Sequence, residues 1–331
     1  MGIGYSILGV IGLIVLITVG VLGLGWYTVF VVVVPYAAVL FFIVGFIYRV
    51  VKWASAPVPF SITTVCGQQK SLPWIKASSI DSPHTTAGVI GRLALEILLF
   101  RSLLKNEKVE LQLPQRLFFR ASLLLWIGAM AFHWSLLVIV LRHLRFFLEP
   151  VPSAIVILQR VDFMFQGLLP LLYITDLLIV LALAYLFTRR VIYPQIRYIS
   201  LASDYFVLLV IAGIAVTGIL MRLIYNVDLF QVKSWVMSML RFQPALPQGV
   251  NILFFIHLFF VSLLLAYFPV SKLMHMPGIF LSPTRNLKNI SRNHRAINPW
   301  NPTVKVHTYE EYEDEFREAM KEVGLPVERD L

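Results

Sequence analysis

The chain has 331 residues, of which 58% are hydrophobic and 14% charged, and its mean hydropathy of +0.78 excludes an ordinary soluble domain and points to an integral membrane protein. The net charge of +10 does not indicate nucleic acid, because the basic residues flank apolar runs, no nucleic-acid-binding motif accompanies them, and anionic lipid headgroups account for them. The single cysteine, Cys66, rules out an internal disulfide and a cysteine-held iron–sulfur cluster within the chain.

Lipid offers the backbone no hydrogen-bond partners, so a span needs about 20 apolar residues in a helix. Runs at roughly 4–24, 27–48, 120–142, 166–188, 202–223 and 250–270 meet this length, and the expected fold is an all-α bundle of about six transmembrane helices. The first run lacks the basic start and small-residue cleavage site of a signal peptide, and it continues through "GLGWYT" into the second, so 1–50 reads as a transmembrane hairpin. Residues 51–116 form an insertion expected in the cytosol. It holds Cys66 in "TTVCGQQKSLPWIK", where no titratable neighbour activates the thiol, and no chemistry is assigned to it. From Thr86 to Leu104, Val89, Leu93, Ile97, Phe100 and Leu104 recur at three- and four-residue intervals with Arg92, Glu96 and Arg101 between them. That pattern predicts an amphipathic helix lying on the membrane surface or on a partner.

The four later spans occupy 117–278, with Pro277 and Gly278 expected to end the last helix. The tail, 279–331, is basic and turn-rich over 285–305 and then acidic, its last 22 residues holding nine of the 18 acids. It reads either as a solvated helix or as a docking element for a partner. With the N-terminus inside, the inner connections hold 10, 3 and 9 Lys and Arg, against six on the outer side, so both termini are expected in the cytoplasm and the chain in the cytoplasmic membrane.

Three histidines, His84, His294 and His307, fall in aqueous connections, whereas His133, His143, His257 and His275 lie in or at the ends of the third and sixth spans. An ionisable residue in a span is costly and marks a site by default, the alternative being a histidine bonded between helices. The two spans run antiparallel, so the depth-matched pairs are His143 with His257 and His133 with His275. Along continuous helices His133 and His143 would lie about 15 Å apart, and His257 and His275 about 27 Å. Two such pairs suit two haems b, each iron held between two imidazoles, while zinc would require further cysteine or carboxylate ligands. The other readings are a transporter whose intramembrane histidines relay protons and a purely structural anchor; the inverted repeats and broken midplane helices of many transporters are not apparent.

The intervals of ten residues between His133 and His143 and of eighteen between His257 and His275 resemble those of the nitrate reductase gamma-subunit family, over about 117–278. The added hairpin and the stretches "SITTVCGQQKSLPWIK" and "SPHTTAGVIGRLALEILLFRSLL" resemble the cytochrome b subunits (DsrM) of the membrane complex associated with dissimilatory sulfite reduction, called in some archaea a heterodisulfide-reductase-like menaquinol oxidoreductase. The resemblance implies an outer haem on His143 and His257, an inner haem on His133 and His275, and menaquinol or menaquinone as substrate. It also implies a cytosolic iron–sulfur partner of the heterodisulfide-reductase-like kind, and further membrane and extracytoplasmic subunits, a multihaem cytochrome c among them, in sulfate or sulfite respiration. The chain would then be the quinone-reactive electron-transfer subunit rather than a complete enzyme. Asp162, Asp176 and Asp228 are the candidates for the quinone site, Arg142 and Arg145 beside His143 are expected at the haem propionates, and "EPVPS" at 149–153 is expected on the outer rim.

The charge count generates a test of sidedness. Cysteines placed near Asn106 and near the C-terminus should react with an impermeant thiol reagent only from the cytoplasm, and one near Ser153 only from outside; the reverse labelling would invert the topology.

Overall fold

A computed structural model describes residues 2–56, 67–105, 107–112, 116–164, 172–282, 285–290 and 306–328, with 107–112 and 116–121 known by their backbone alone. Cys66, the start of the fourth expected span at 166–171, and the basic stretch 291–305 lie outside the described residues.

Helix α1 (Gly2–Thr18) widens into a π turn to Gly23, and a second π turn from Val29 leads into α2 (Val34–Ala54). The insertion contributes α3 (Thr86–Leu99), α4 (Arg101–Leu104) and an antiparallel hairpin of β1 (Glu107–Gln112) and β2 (Arg116–Ala121), paired from Glu107 with Ala121 to Gln112 with Arg116. The hairpin is a small addition to an otherwise helical fold. The expected helix over 86–104 is therefore two helices, broken at Phe100. Next come α5 (Leu123–His143), α6 (Ser153–Asp162), α7 (Ile174–Ile192), α8 (Pro194–Ile199), α9 (Ala202–Leu223) and α10 (Leu229–Leu240), then α11 (Ile252–Tyr267), α12 (His275–Leu281) and α13 (Tyr309–Glu322).

Among the described residues, five helical stretches are long and apolar enough to cross a membrane: Gly2–Gly23, Val29–Ala54, Leu123–Phe146, Ala202–Leu223 and Ile252–Val270. The sixth long helix, α7, has 19 residues, about 28 Å at 1.5 Å per residue, and carries Asp176, Arg189 and Arg190 near its ends. It packs between α5 and α9, α9 packs on α11, and the N-terminal hairpin joins the same body through α1 on α9 and α2 on α11. One core combines Ile17, Val21, Phe30 and Val31 of the hairpin with Val210, Phe254, Phe255 and Phe260, and a second places Phe132 against Ile179, Leu183 and Ile211. By contrast, α5 and α11 do not pack closely on each other.

The last span does not continue to Gly278. It ends at Tyr267, followed by a 3₁₀ turn at Phe268–Val270, an extended Ser271 (φ −106°, ψ 177°) and a second turn at Lys272–Met274. Pro269 has no N–H to continue the helical ladder, and the Ser271 hydroxyl accepts from Leu273 N at 3.2 Å to start the next turn. Pro277 instead sits in the first turn of α12, where a missing N–H costs nothing. The separation of about 27 Å along a continuous helix therefore does not apply to His257 and His275.

The insertion and the start of the tail are joined by polar contacts. Asn289, 1% exposed, donates its N–H to Pro83 O at 2.7 Å, and Arg92 donates to Arg285 O. Burial works to raise the Asp81 carboxyl, but hydrogen bonds from Arg101 and Lys105 outweigh it and hold the group below the usual carboxylate range.

Close packing of α5 on α7 depends on Gly128, where a Cβ would stand 2.5 Å from Tyr185 Cδ1 and 2.7 Å from Cε1. Gly128→Leu should cost about 1–3 kcal/mol through overpacking, measured as a lowered thermal midpoint of the protein in detergent; an unchanged midpoint would mean that Tyr185 moves aside freely.

Candidate metal centres

Helix α5 carries His133 and His143, α11 carries His257, and His275 opens α12 after the break in the last span. Each of these imidazoles turns Nδ1 to an oxygen. His133 Nδ1 lies 2.8 Å from Ala129 O and His143 Nδ1 2.7 Å from Ile139 O, both one turn back along the helix. His257 Nδ1 reaches across to α9, 3.1 Å from Ile214 O and 3.0 Å from Thr217 Oγ1, and His275 Nδ1 lies 2.7 Å from Lys272 O. A carbonyl oxygen can only accept, so each Nδ1 serves as the donor there, and Nε2 is the nitrogen left to face a ligand. This is the arrangement that a metal-ligating histidine requires of its surroundings.

The rings also meet in pairs. The centroids of His133 and His275 are 6.0 Å apart with the planes at 87°. Two imidazoles on opposite faces of one metal ion, with bonds of roughly 2 Å, place their centroids about 6 Å apart as well. His143 and His257 lie within electrostatic reach of each other. The donor set and the loose approach of α5 to α11 fit a flat cofactor held between opposed imidazoles. Haem b would be held by these four residues, and it would supply a reversible one-electron carrier at each pair.

Residues that the sequence alone did not single out support the rings. Thr217 donates its hydroxyl to Gly213 O at 2.7 Å, leaving the oxygen to accept from His257. Gly218 leaves room for that ring, since a Cβ there would stand 3.3 Å from His257 Cε1. The "TG" at 217–218 inside an apolar span was the available sequence signal. At the other pair, Asp204 Oδ1 holds Lys272 Nζ at 2.7 Å and its Oδ2 lies 3.4 Å from Arg190. Asp204 thereby fixes the turn whose carbonyl orients His275. No local sequence pattern announces that contact.

Beside His143 the guanidinium of Arg142, 7% exposed, is shared by two carboxylates, Asp162 Oδ2 at 3.1 Å and Asp176 Oδ1 at 3.0 Å. Thr175 completes the cluster, donating its hydroxyl to Asp162 Oδ2 at 2.7 Å and its N–H to Oδ1 at 3.0 Å. Tyr173 lies against two cations, with Arg142 Cζ 3.6 Å and Arg222 Cζ 3.8 Å from its ring centroid. Of the residues expected at propionates, Arg142 is thus engaged by carboxylates, and Arg145 donates to Gln159 Oε1 at 3.0 Å. Asp162 and Asp176 come together, whereas Asp228 is exposed and caps α10 by accepting from Phe230 N at 2.8 Å. In the stretch 149–153, Glu149 pairs with Lys233 of α10, and Ser153 begins α6.

Residues 92–290, which include all four histidines, match the family described as nitrate reductase gamma subunit. The chain is 43% identical over 282 residues to the Hdr-like menaquinol oxidoreductase cytochrome b-like subunit of Archaeoglobus fulgidus, covering 83% of this chain and 84% of that one. It is 39% identical over 279 residues to the subunit of the same name from Archaeoglobus profundus, covering 82% of each.

Removing the guanidinium from between buried Asp162 and half-buried Asp176 leaves uncompensated charge. Arg142→Ala should therefore destabilise the protein by about 3–5 kcal/mol, read as a marked fall in its thermal midpoint in detergent. A midpoint equal to the wild type would show that water reaches the cluster.

Proposed function

Because the chain belongs to the nitrate reductase gamma-subunit family, we propose that it is a di-haem cytochrome b subunit that passes electrons between menaquinol and a cytosolic iron–sulfur partner. His143 and His257 would hold the outer haem and His133 and His275 the inner one. The observation that carries this reading is that Nδ1 of all four histidines faces an internal oxygen, so four Nε2 atoms are left as ligands. A proton relay would need its Nδ1–H free to leave, which a bond to a backbone carbonyl opposes.

Oxidation of menaquinol releases two protons and two electrons, and the residues near His143 supply the acid–base partner. Asp162 and Asp176 share one guanidinium and are the candidate acid–base groups beside His143. Asp176, whose side chain is 13% exposed against 3% for Asp162, is the more accessible acceptor. Arg142 holds both in place, and Thr175 orients Asp162. The basic-residue count puts this end of the bundle outside and the pair of His133 with His275 toward the cytoplasm. The insertion and tail, joined through Asn289 and Arg92, lie on the chain segments next to that second pair and would form the docking face for the partner. The names of the two relatives support a place in a heterodisulfide-reductase-like complex, and we extend this to respiratory sulfur metabolism, with further membrane and extracytoplasmic subunits including a multihaem cytochrome c.

The purified chain should show a reduced-minus-oxidised spectrum of haem b at two equivalents. His257→Ala and His275→Ala should each keep about one equivalent, the first losing the carrier nearest the Arg142 cluster. A wild-type chain without haem b, or a single variant that retains two low-spin haems, would overturn the assignment.

A further inference from the structure

Phe100 joins α3 to α4 in a left-handed conformation, φ 46° and ψ 49°, that is rare for a bulky aromatic residue and is kept only where its surroundings impose it. Here they come from three directions. Glu96 Oε2 crosses the break to accept from Ser102 N at 2.9 Å and Ser102 Oγ at 2.7 Å. The other oxygen of Glu96 is held by Arg285, from the start of the tail, at 2.6 Å. The break leaves the carbonyls of Leu98 and Leu99 without helical donors, and α5 supplies them: Trp134 Nε1 donates to Leu98 O at 3.2 Å and Trp126 Nε1 to Leu99 O at 2.7 Å. This clamp sets the Phe100 ring edge-on to His133, with centroids 4.9 Å apart and planes at 74°.

We propose that Phe100 is a positioning residue of the His133–His275 centre, through which the insertion sets the redox character of that centre and leaves the other alone. The inference rests on the di-haem reading above. The bond from Nδ1 to Ala129 O holds the His133 imidazole from its own helix only. Phe132 lies 5.0 Å away on the same helix, and Phe100 closes the ring from outside that helix. With both in place, the 87° between the His133 and His275 planes is held and water is kept from the ring. Oxidised haem carries one more positive charge than reduced haem, so excluding water disfavours the oxidised form and raises the potential.

The test uses the full-length, haem-loaded protein in detergent. Phe100→Gly removes the ring while keeping the left-handed backbone, which glycine adopts without strain, and Phe100→Leu restores apolar bulk without the ring edge. In the glycine variant both haems should remain, with one of the two steps in a redox titration moved to lower potential and the other unmoved. The low-spin ferric EPR signal of that same haem should change, because its anisotropy reports the angle between the axial imidazole planes. The leucine variant should fall between glycine and wild type. Loss of one haem, with the other's spectrum intact, would equally assign Phe100 to a single centre. Two steps at wild-type potentials, two steps that move together, or loss of both haems would overturn the proposal, the last by making Phe100 a folding residue. Wild-type protein without haem b would instead overturn the di-haem reading, and this inference with it.

Discussion

In a hydrocarbon environment each polar side chain must find its partner inside the protein, and that constraint organises the histidines in and next to the spans. A neutral imidazole has one donor and one acceptor nitrogen, and the two rings on α5 satisfy the donor at the carbonyl one turn back, at no cost in helix geometry. His257 cannot rely on its own helix and uses Ile214 and Thr217 of α9, so its orientation depends on how α9 and α11 pack. His275 uses a carbonyl of the turn before it, and that turn depends on Asp204 at the start of α9. Both rings from the C-terminal part of the chain are therefore positioned by α9, a helix that carries no histidine.

The charged residues obey the same constraint at the two ends of the bundle. At one end, Arg142 is shared between Asp162 and Asp176 with Thr175 filling the remaining valences, and at the other Asp204 is shared between Arg190 and Lys272. Each cluster brings both signs of charge together, which lowers the cost of keeping ions near lipid. Each also adjoins one histidine pair, since Arg142 precedes His143 and Lys272 belongs to the turn whose carbonyl faces His275.

The insertion is built into the bundle rather than appended to it. Two tryptophans of α5 occupy carbonyls at the end of α3, and Arg285 and Asn289 tie the start of the tail to the same segment. Segments far apart in the chain thus converge beside His133.

The sequence alone determined the membrane class, the positions of the long apolar helices and the four histidines at intervals of ten and eighteen, because length, hydropathy and spacing are local quantities that lipid converts directly into structure. The order of antiparallel spans also led to an expected pairing of His143 with His257 and of His133 with His275. Other features were decided by contacts between residues remote in the chain. Phe100 breaks a helix whose apolar periodicity runs straight through it, because Glu96, Arg285 and two indoles of α5 make the broken form better bonded. Pro269 rather than Pro277 ended the last span, because a proline in a first helical turn is harmless and one in the ladder is not. The sharing of Arg142 by two carboxylates and the hold of Asp204 on the His275 turn likewise belong to tertiary structure, since a charge in the sequence names no partner until packing brings one within reach.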